Sequence, residues 1–201
     1  QVLYESGLNK PLLRFYQWSK PTVSVGYFEK LSDATELYGT SELEYVRRWT
    51  GGGIVDHRMD QTYTLFVPAE HPLASIRGSA SYAAIHKALR VSLVEQGVAC
   101  QLVNCGSDSD SRACFEKPVA FDIIGTSGEK LAGAGQKRGR HGLLHQGSVQ
   151  GVRQRKRWRE YFILALADRV KEKDINPDEL GDVSQLVRER YGAQAWTQKR
   201  C

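Results

Sequence analysis

Arg47-Arg48-Trp49-Thr50-Gly51-Gly52-Gly53-Ile54-Val55-Asp56-His57 is the stretch on which the reading of this chain turns. Its glycine triplet lies between two β-type runs, Glu44 to Trp49 and Thr62 to Val67, where glycines cost conformational entropy. That cost makes sense where the backbone must turn tightly and let a ligand lie against it. The arginine pair just upstream can supply positive charge to a carboxylate, a phosphate or a phosphopantetheine. Read by itself, the segment fits a flexible hairpin with a solvated arginine pair equally well.

Two further segments carry chemistry. Cys114-Phe115-Glu116-Lys117-Pro118 is followed by Gly128-Glu129-Lys130-Leu131-Ala132-Gly133-Ala134-Gly135-Gln136-Lys137-Arg138. Lys130 opens a strand whose small residues allow a ligand close to the backbone. A cysteine within reach of a lysine is a nucleophile beside its activator, because a nearby cation favours the thiolate. Without that context Cys114 reads as a small buried filler and Lys130 as a surface hairpin lysine. Gly139-Arg140-His141-Gly142-Leu143-Leu144-His145-Gln146-Gly147-Ser148 comes next, and His145 reads as a hydrogen-bonded strand residue rather than an acid–base group.

The remaining chain bounds the class. Its 201 residues can bury one substantial core, and we expect a single domain over residues 1–201. No stretch reaches the roughly 18 uninterrupted apolar residues of a membrane span. No secretory signal opens the chain, and Cys100, Cys105, Cys114 and Cys201 fit neither a disulfide framework nor paired C-x-x-C metal spacing. The expectation is a cytoplasmic protein with no metal site. Net charge is +5, with basic groups at Lys137, Arg138 and Arg140 and again from Arg153 to Arg159. Such patches suit an acidic partner. A nucleic-acid module would need an aromatic–basic pattern, a zinc-finger spacing or a helix-turn-helix, and none is present.

Periodicity predicts strands at Leu12 to Trp18, Thr22 to Tyr27 and Leu143 to Val149, and a hairpin of Ala120 to Ile124 with Lys130 to Ala134 turning through Thr126-Ser127-Gly128. Helices are expected at Ser79 to Gln96, capped by Ser79 and ended by Gly97, at Gln154 to Lys171, and at Val183 to Tyr191. Strands first and helices late argue for an α+β fold, a mixed sheet packed with helices.

Taken together, Arg47-Arg48-x-Thr50-Gly51-Gly52-Gly53-x-Val55-x-His57, Lys130-x-x-Gly133-x-x-Gln136-x-Arg138 and His145-Gln146-Gly147-Ser148 resemble the catalytic domain shared by lipoate–protein ligases and cysteine-dependent octanoyltransferases. Leu13-Arg14-Phe15-Tyr16-x-Trp18 and Ser24-Val25-Gly26 are similar to its opening strands, and Arg190-Tyr191-Gly192 with Trp196 to its closing segment. The resemblance implies the class II biotin/lipoate ligase-like fold, with an acyl tunnel lined by the glycine loop and the Lys130 strand. It implies substrate-binding roles for Arg47, Arg48, Thr50, Gly51, Gly52, Gly53, His57, Gly133, Ala134 and Gln136. Two departures stand out. Arg58 occupies a place where Asp commonly follows the histidine, and the family's long N-terminal helix is represented only by Val2 to Gly7.

Within the resemblance, Ala-Cys114-Phe-x-x-Pro and Asp60-x-Thr62-Tyr63-Thr64 look like the transferase branch. That branch moves an octanoyl group through a cysteine acyl-enzyme, with Cys114 and Lys130 as catalytic residues and no cofactor. The alternative is an ATP- and Mg-dependent ligase acting through lipoyl-AMP. Implied partners are acyl carrier protein or glycine-cleavage H protein and the lipoyl domains of 2-oxoacid dehydrogenases, with no nucleic acid and no membrane. Loop Asn104 to Arg112 is expected to be mobile without ligand, either as a lid that excludes water from the acyl-enzyme or as a passive surface loop. Arg153 to Arg159 reads either as a docking patch for an acidic carrier or as a solvated helix face.

Overall fold

The computed structural model describes residues 1–5, 8–39, 42–104, 119–152, 157–174 and 177–199. In chain order the elements are α1 (Val2–Glu5), β1 (Leu12–Tyr16), β2 (Thr22–Val25), α2 (Leu31–Tyr38), β3 (Glu44–Arg47), β4 (Val55–Asp56), β5 (Gln61–Pro68), α3 (Pro72–Ser75), α4 (Gly78–Glu95) and β6 (Cys100–Leu102). They continue with β7 (Ile123–Gly125), β8 (Lys130–Gly139), β9 (Gly142–Val149), α5 (Trp158–Leu166), α6 (Pro177–Leu186), a π-helical turn at Val187–Tyr191, and α7 (Gln194–Thr197).

A six-stranded sheet in the order β1-β5-β9-β8-β7-β6 is antiparallel at every pairing. A second sheet, β3-β2-β4, contains the parallel pair β2–β3. The expected α+β architecture is therefore present, with its parallel pairing confined to the small sheet.

Alternation along β5 explains where the core sits. Tyr63, Leu65 and Val67 pack with Ile123, Ala132, Leu143 and Val149 against Ile85, Leu89 and Leu93 of α4 and Trp158 and Phe162 of α5. The opposite face of the same strands changes character along its length. Phe66 and Leu144 join Tyr4 and Trp49 in a small apolar cluster. Thr62 and Ser148, farther along, are buried polar residues that face a cleft. The small sheet has its own core of Val23, Val25, Ala34 and Ile54.

Several boundaries differ from the sequence expectations. Arg77 precedes α4 without a side-chain cap, so Ser79 lies inside the helix; Gly97, at φ +72°, does end it. α5 stops at Leu166, with Ala167 extended, and Val170 beyond it is 60% exposed. The apolar stripe outlasts the surface it packs on. α6 begins at Pro177, whose fixed φ suits a first turn, and not at Val183. α2 and β6 were not foreseen. Among the described residues no helix is long and apolar enough to cross a membrane.

Candidate active site

The glycine loop is laid directly on β8. A Cβ on Gly135 would stand 2.3 Å from Gly51 O, and one on Gly26 would stand 1.6 Å from Gly52 O. Gly52 itself has φ +88°, a left-handed conformation open to glycine and strained for other residues. Arg48 clamps the loop from behind: Nη2 donates to Gly53 O at 2.7 Å, while Nη1 donates to Ser24 O at 3.0 Å and Ser24 Oγ at 2.6 Å. Thr50 Oγ1 ties the loop to β9 through Gln146 Oε1 at 2.9 Å.

Arg47 has a different fate from the one its sequence context suggested. It is 1% exposed, and its guanidinium donates to five main-chain oxygens, those of Gly26, Tyr27, Glu29, Trp196 and Thr197. Those bonds hold the C-terminal segment against the back of the loop and direct the charge away from the cleft.

Lys130 is buried, which rules out its context-free reading as a surface hairpin lysine. Its Nζ lies 2.8 Å from Asp122 Oδ2, with the two side chains 5% and 0% exposed. The ammonium covers Gly133, where a Cβ would come within 2.8 Å of Nζ. Asp122 also accepts the Tyr82 hydroxyl at 2.5 Å and the Val119 N–H at 2.8 Å. Phe121, at φ +70°, turns the chain into this position, and strain of that kind gathers at functional sites. Burial, and then the Asp122 charge, push the Tyr82 hydroxyl well above its ordinary value, so it stays protonated. It donates to Asp122 and accepts the Ala134 N–H at 2.8 Å. The Ala134 amide, in a residue the resemblance gave a substrate-binding role, is therefore engaged by Tyr82.

Behind this cluster lie two buried histidines. His145 joins Tyr63 OH at 3.0 Å and Gln136 Nε2 at 3.0 Å, the hydrogen-bonded strand role foreseen for it. Burial and then His86 hold it well below its usual value. His86 donates from Nδ1 to Phe121 O at 2.7 Å, and burial pushes it down to about 4. Among the described residues its Nε2 is the buried side-chain polar atom without a hydrogen-bond partner.

Between the glycine loop and the large sheet runs a cleft open to solvent along part of its length. Of the residues named from the sequence, Arg48, Gly52, Gly53, His57, Lys130, Gly133 and Ala134 line it; Arg47, Thr50, Gly51 and Gln136 do not. Its floor is one register row, Gly133–Ser148–Thr62–Tyr16, crossing β8, β9, β5 and β1. Strand spacing of about 4.8 Å makes that row about 14 Å long. Sequence reasoning placed Tyr16, Trp18 and Ser148 in motifs without giving them a site role, and nothing local marked Asp122 or Tyr82.

Cys114 and the proposed lid up to Arg112 lie outside the described residues, apart from Asn104. The same holds for Arg153, Arg155 and Lys156. Of the rest of that basic group, Arg157 pairs with Glu160 at 3.1 Å, and Arg159 reaches back to Gln61 and over the Phe15 ring.

The sequence model of the lipoyl protein ligase A/B catalytic domain matches residues 2–179. The chain belongs to this family. It is 34% identical over 155 residues to octanoyltransferase LipM of Carboxydothermus hydrogenoformans, covering 74% of this chain and 57% of that relative. It is 35% identical over 152 residues to octanoyltransferase LipM of Moorella thermoacetica, covering 73% and 55%. The chain thus spans little more than half the length of these curated relatives. Solved structures share the fold of this lipoyl ligase-family chain at low identity. A bi-partite lipoate protein ligase from Thermoplasma acidophilum superposes with TM-score 0.73 at 16% identity, covering 100% of this chain and 92% of that one. A lipoate–protein ligase A bound with ATP gives 0.71 at 18%, covering 98% and 92%.

Proposed function

We propose that this chain forms one catalytic domain that moves an octanoyl group from a carrier thioester to a lysine of a lipoyl carrier domain, through a thioester on Cys114. The observation that carries the reading is the buried Lys130 ammonium over Gly133, at one end of a cleft with a mainly small and apolar lining. An extended eight-carbon chain is about 9–10 Å long, given C–C bonds near 1.5 Å, and fits along the 14 Å floor. Burying it contributes about 0.8 kcal/mol per CH₂.

Cys114 Sγ attacks the donor carbonyl, and the donor thiolate leaves with the proton that the cysteine gives up. The acceptor amine then attacks the enzyme thioester, Cys114 leaves as thiolate, and the amine proton is taken up in its place. Lys130, oriented by Asp122, is the group through which these protons pass. No nucleotide takes part. The relatives named octanoyltransferase support this route over the ligase alternative. Acyl carrier protein or H protein as donor, lipoyl domains of 2-oxoacid dehydrogenases as acceptors, and a cytoplasmic location follow from the same reading.

Intact mass spectrometry after incubation with octanoyl carrier protein, without ATP, tests it. One added octanoyl group, absent in Cys114→Ala, is the expected result. Carrier modification that needs ATP and free octanoate, and survives Cys114→Ala, would establish the ligase instead.

A further inference from the structure

A second polar network borders the cleft, and the transfer chemistry above makes no use of it. His57 Nε2 lies 2.6 Å from Ser24 Oγ, and His57 Nδ1 lies 2.6 Å from Asp60 Oδ2. The order serine, imidazole, carboxylate matches the connectivity of a hydrolase triad. Ser24 is nevertheless no nucleophile. It is 0% exposed, does not line the cleft, and its oxygen already accepts from Arg48.

Donor and acceptor rules fix one bond and link the other two. Arginine only donates, so Ser24 Oγ accepts from Arg48. In the tautomer that takes the Ser24 hydroxyl proton on Nε2, His57 carries its hydrogen on Nδ1, toward Asp60. Asp60 Oδ2 also accepts Ser148 Oγ at 2.5 Å and Thr62 Oγ1 at 3.3 Å. Thr62 Oγ1 in turn receives Trp18 Nε1–H at 3.0 Å, and the Trp18 ring stacks on His57 with centroids 4.5 Å apart.

Each arm of this network ends on a different wall of the cleft. Ser148 and Thr62 belong to the floor on β9 and β5. His57 and Trp18 form a stacked side wall. Through Ser24 and Arg48 the third arm reaches Gly53 O and so the glycine loop. Asp60 touches none of the cleft's open space, its side chain being 0% exposed.

We infer that Asp60 is a positioning residue for the acyl cleft, whose buried carboxylate fixes floor, side wall and glycine loop relative to one another through Ser148, Thr62, His57–Ser24 and Arg48. This rests on the cleft being the acyl site. It distinguishes Asp60 from Asp122, which acts on the reacting end through Lys130.

The test uses the whole chain carrying Asp60→Asn, with Ser24→Ala as a milder variant that cuts only the arm to Arg48. Three readouts are taken: histidine ¹H–¹⁵N correlation spectra, hydrogen exchange of the Gly51 to Gly53 amides, and steady-state transfer from an octanoyl thioester. Wild type should show Nδ1 of His57 protonated, and Asp60→Asn should lose that preference. Exchange in the loop should rise at least tenfold in Asp60→Asn and by a smaller factor in Ser24→Ala. KM for the thioester should rise about tenfold in Asp60→Asn, with kcat falling less. A His57 protonated on Nε2 alone in wild type would overturn the inference. So would loop exchange unchanged in both variants, or a loss confined to kcat. If wild type transfers no octanoyl group, the proposed function fails, while the nitrogen spectra and loop exchange still decide the role of Asp60. Should Asp60→Asn not fold, Ser24→Ala decides on loop exchange and KM.

Discussion

Asp122 and Asp60 are both buried carboxylates beside one cleft, yet they are satisfied in contrasting ways. Asp122 faces the cation of Lys130, supplemented by the Tyr82 hydroxyl and a backbone N–H. Asp60 collects an imidazole and two hydroxyls. Under the proposed transfer, the carboxylate opposite the ammonium holds a charge where a proton moves. One ringed by short side chains holds geometry. The difference shows how one cleft can separate its chemistry from its shape.

The largest expected effect comes from breaking the first pair. Lys130→Ala leaves Asp122 buried without its cation and should destabilise the chain by about 3–5 kcal/mol. Urea denaturation measures this, and a change below 1 kcal/mol would show that water reaches the site. The variant should also lose acyl transfer. A lysine on the surface of a hairpin would be removed at little cost.

Asp60→Asn should cost less, about 1.5–3 kcal/mol, because hydrogen bonds to a charged acceptor are weakened and no buried charge is left without its partner. A loss equal to that of Lys130→Ala would erase the contrast between the two carboxylates.

The histidines behind Asp122 sharpen it further. His86, pushed down to about 4 by burial, binds fewer protons folded than unfolded at pH values below its ordinary 6.5. Stability should be level above pH 6.5 and fall as pH drops from 6.5 toward 4, by up to about 1.4 kcal/mol per unit for one histidine. His86→Leu should reduce that slope in thermal melts across the range, leaving the part that His145, held low in the same way, contributes. The smallest effect is expected at Cys100, half-buried and pushed up by burial before Arg90 partly offsets it. Cys100→Ala should retain the octanoyl adduct by mass spectrometry.

How much of this was legible beforehand depended on whether a residue's role is local. The strands around the glycine loop, the Lys130 hairpin and the main helix were readable because periodicity, Gly97 and Gly128 act within a few residues. Arg47 and Arg48 were not separable. Adjacent in sequence at the end of one strand, they point to opposite sides, one into carbonyls that include Trp196 and Thr197, the other toward the cleft. His57 lacks the Asp that commonly follows it; Arg58 pairs with Asp56 at 2.6 Å instead, and the carboxylate comes from Asp60.

By itself the sequence determined the α+β class, the glycine loop and the Lys130 strand, because alternation, steric freedom and motif spacing are properties of neighbouring residues. Only the tertiary structure decided that Lys130 is buried, which arginine meets the cleft, and that Asp60 and Asp122 take different partners beside it. Those outcomes depend on antiparallel registers that set Ser148 beside Thr62 and on helix α4 bringing Tyr82 to Asp122. A buried charge must find its partner wherever the fold brings one, and no local pattern announces that partner in advance.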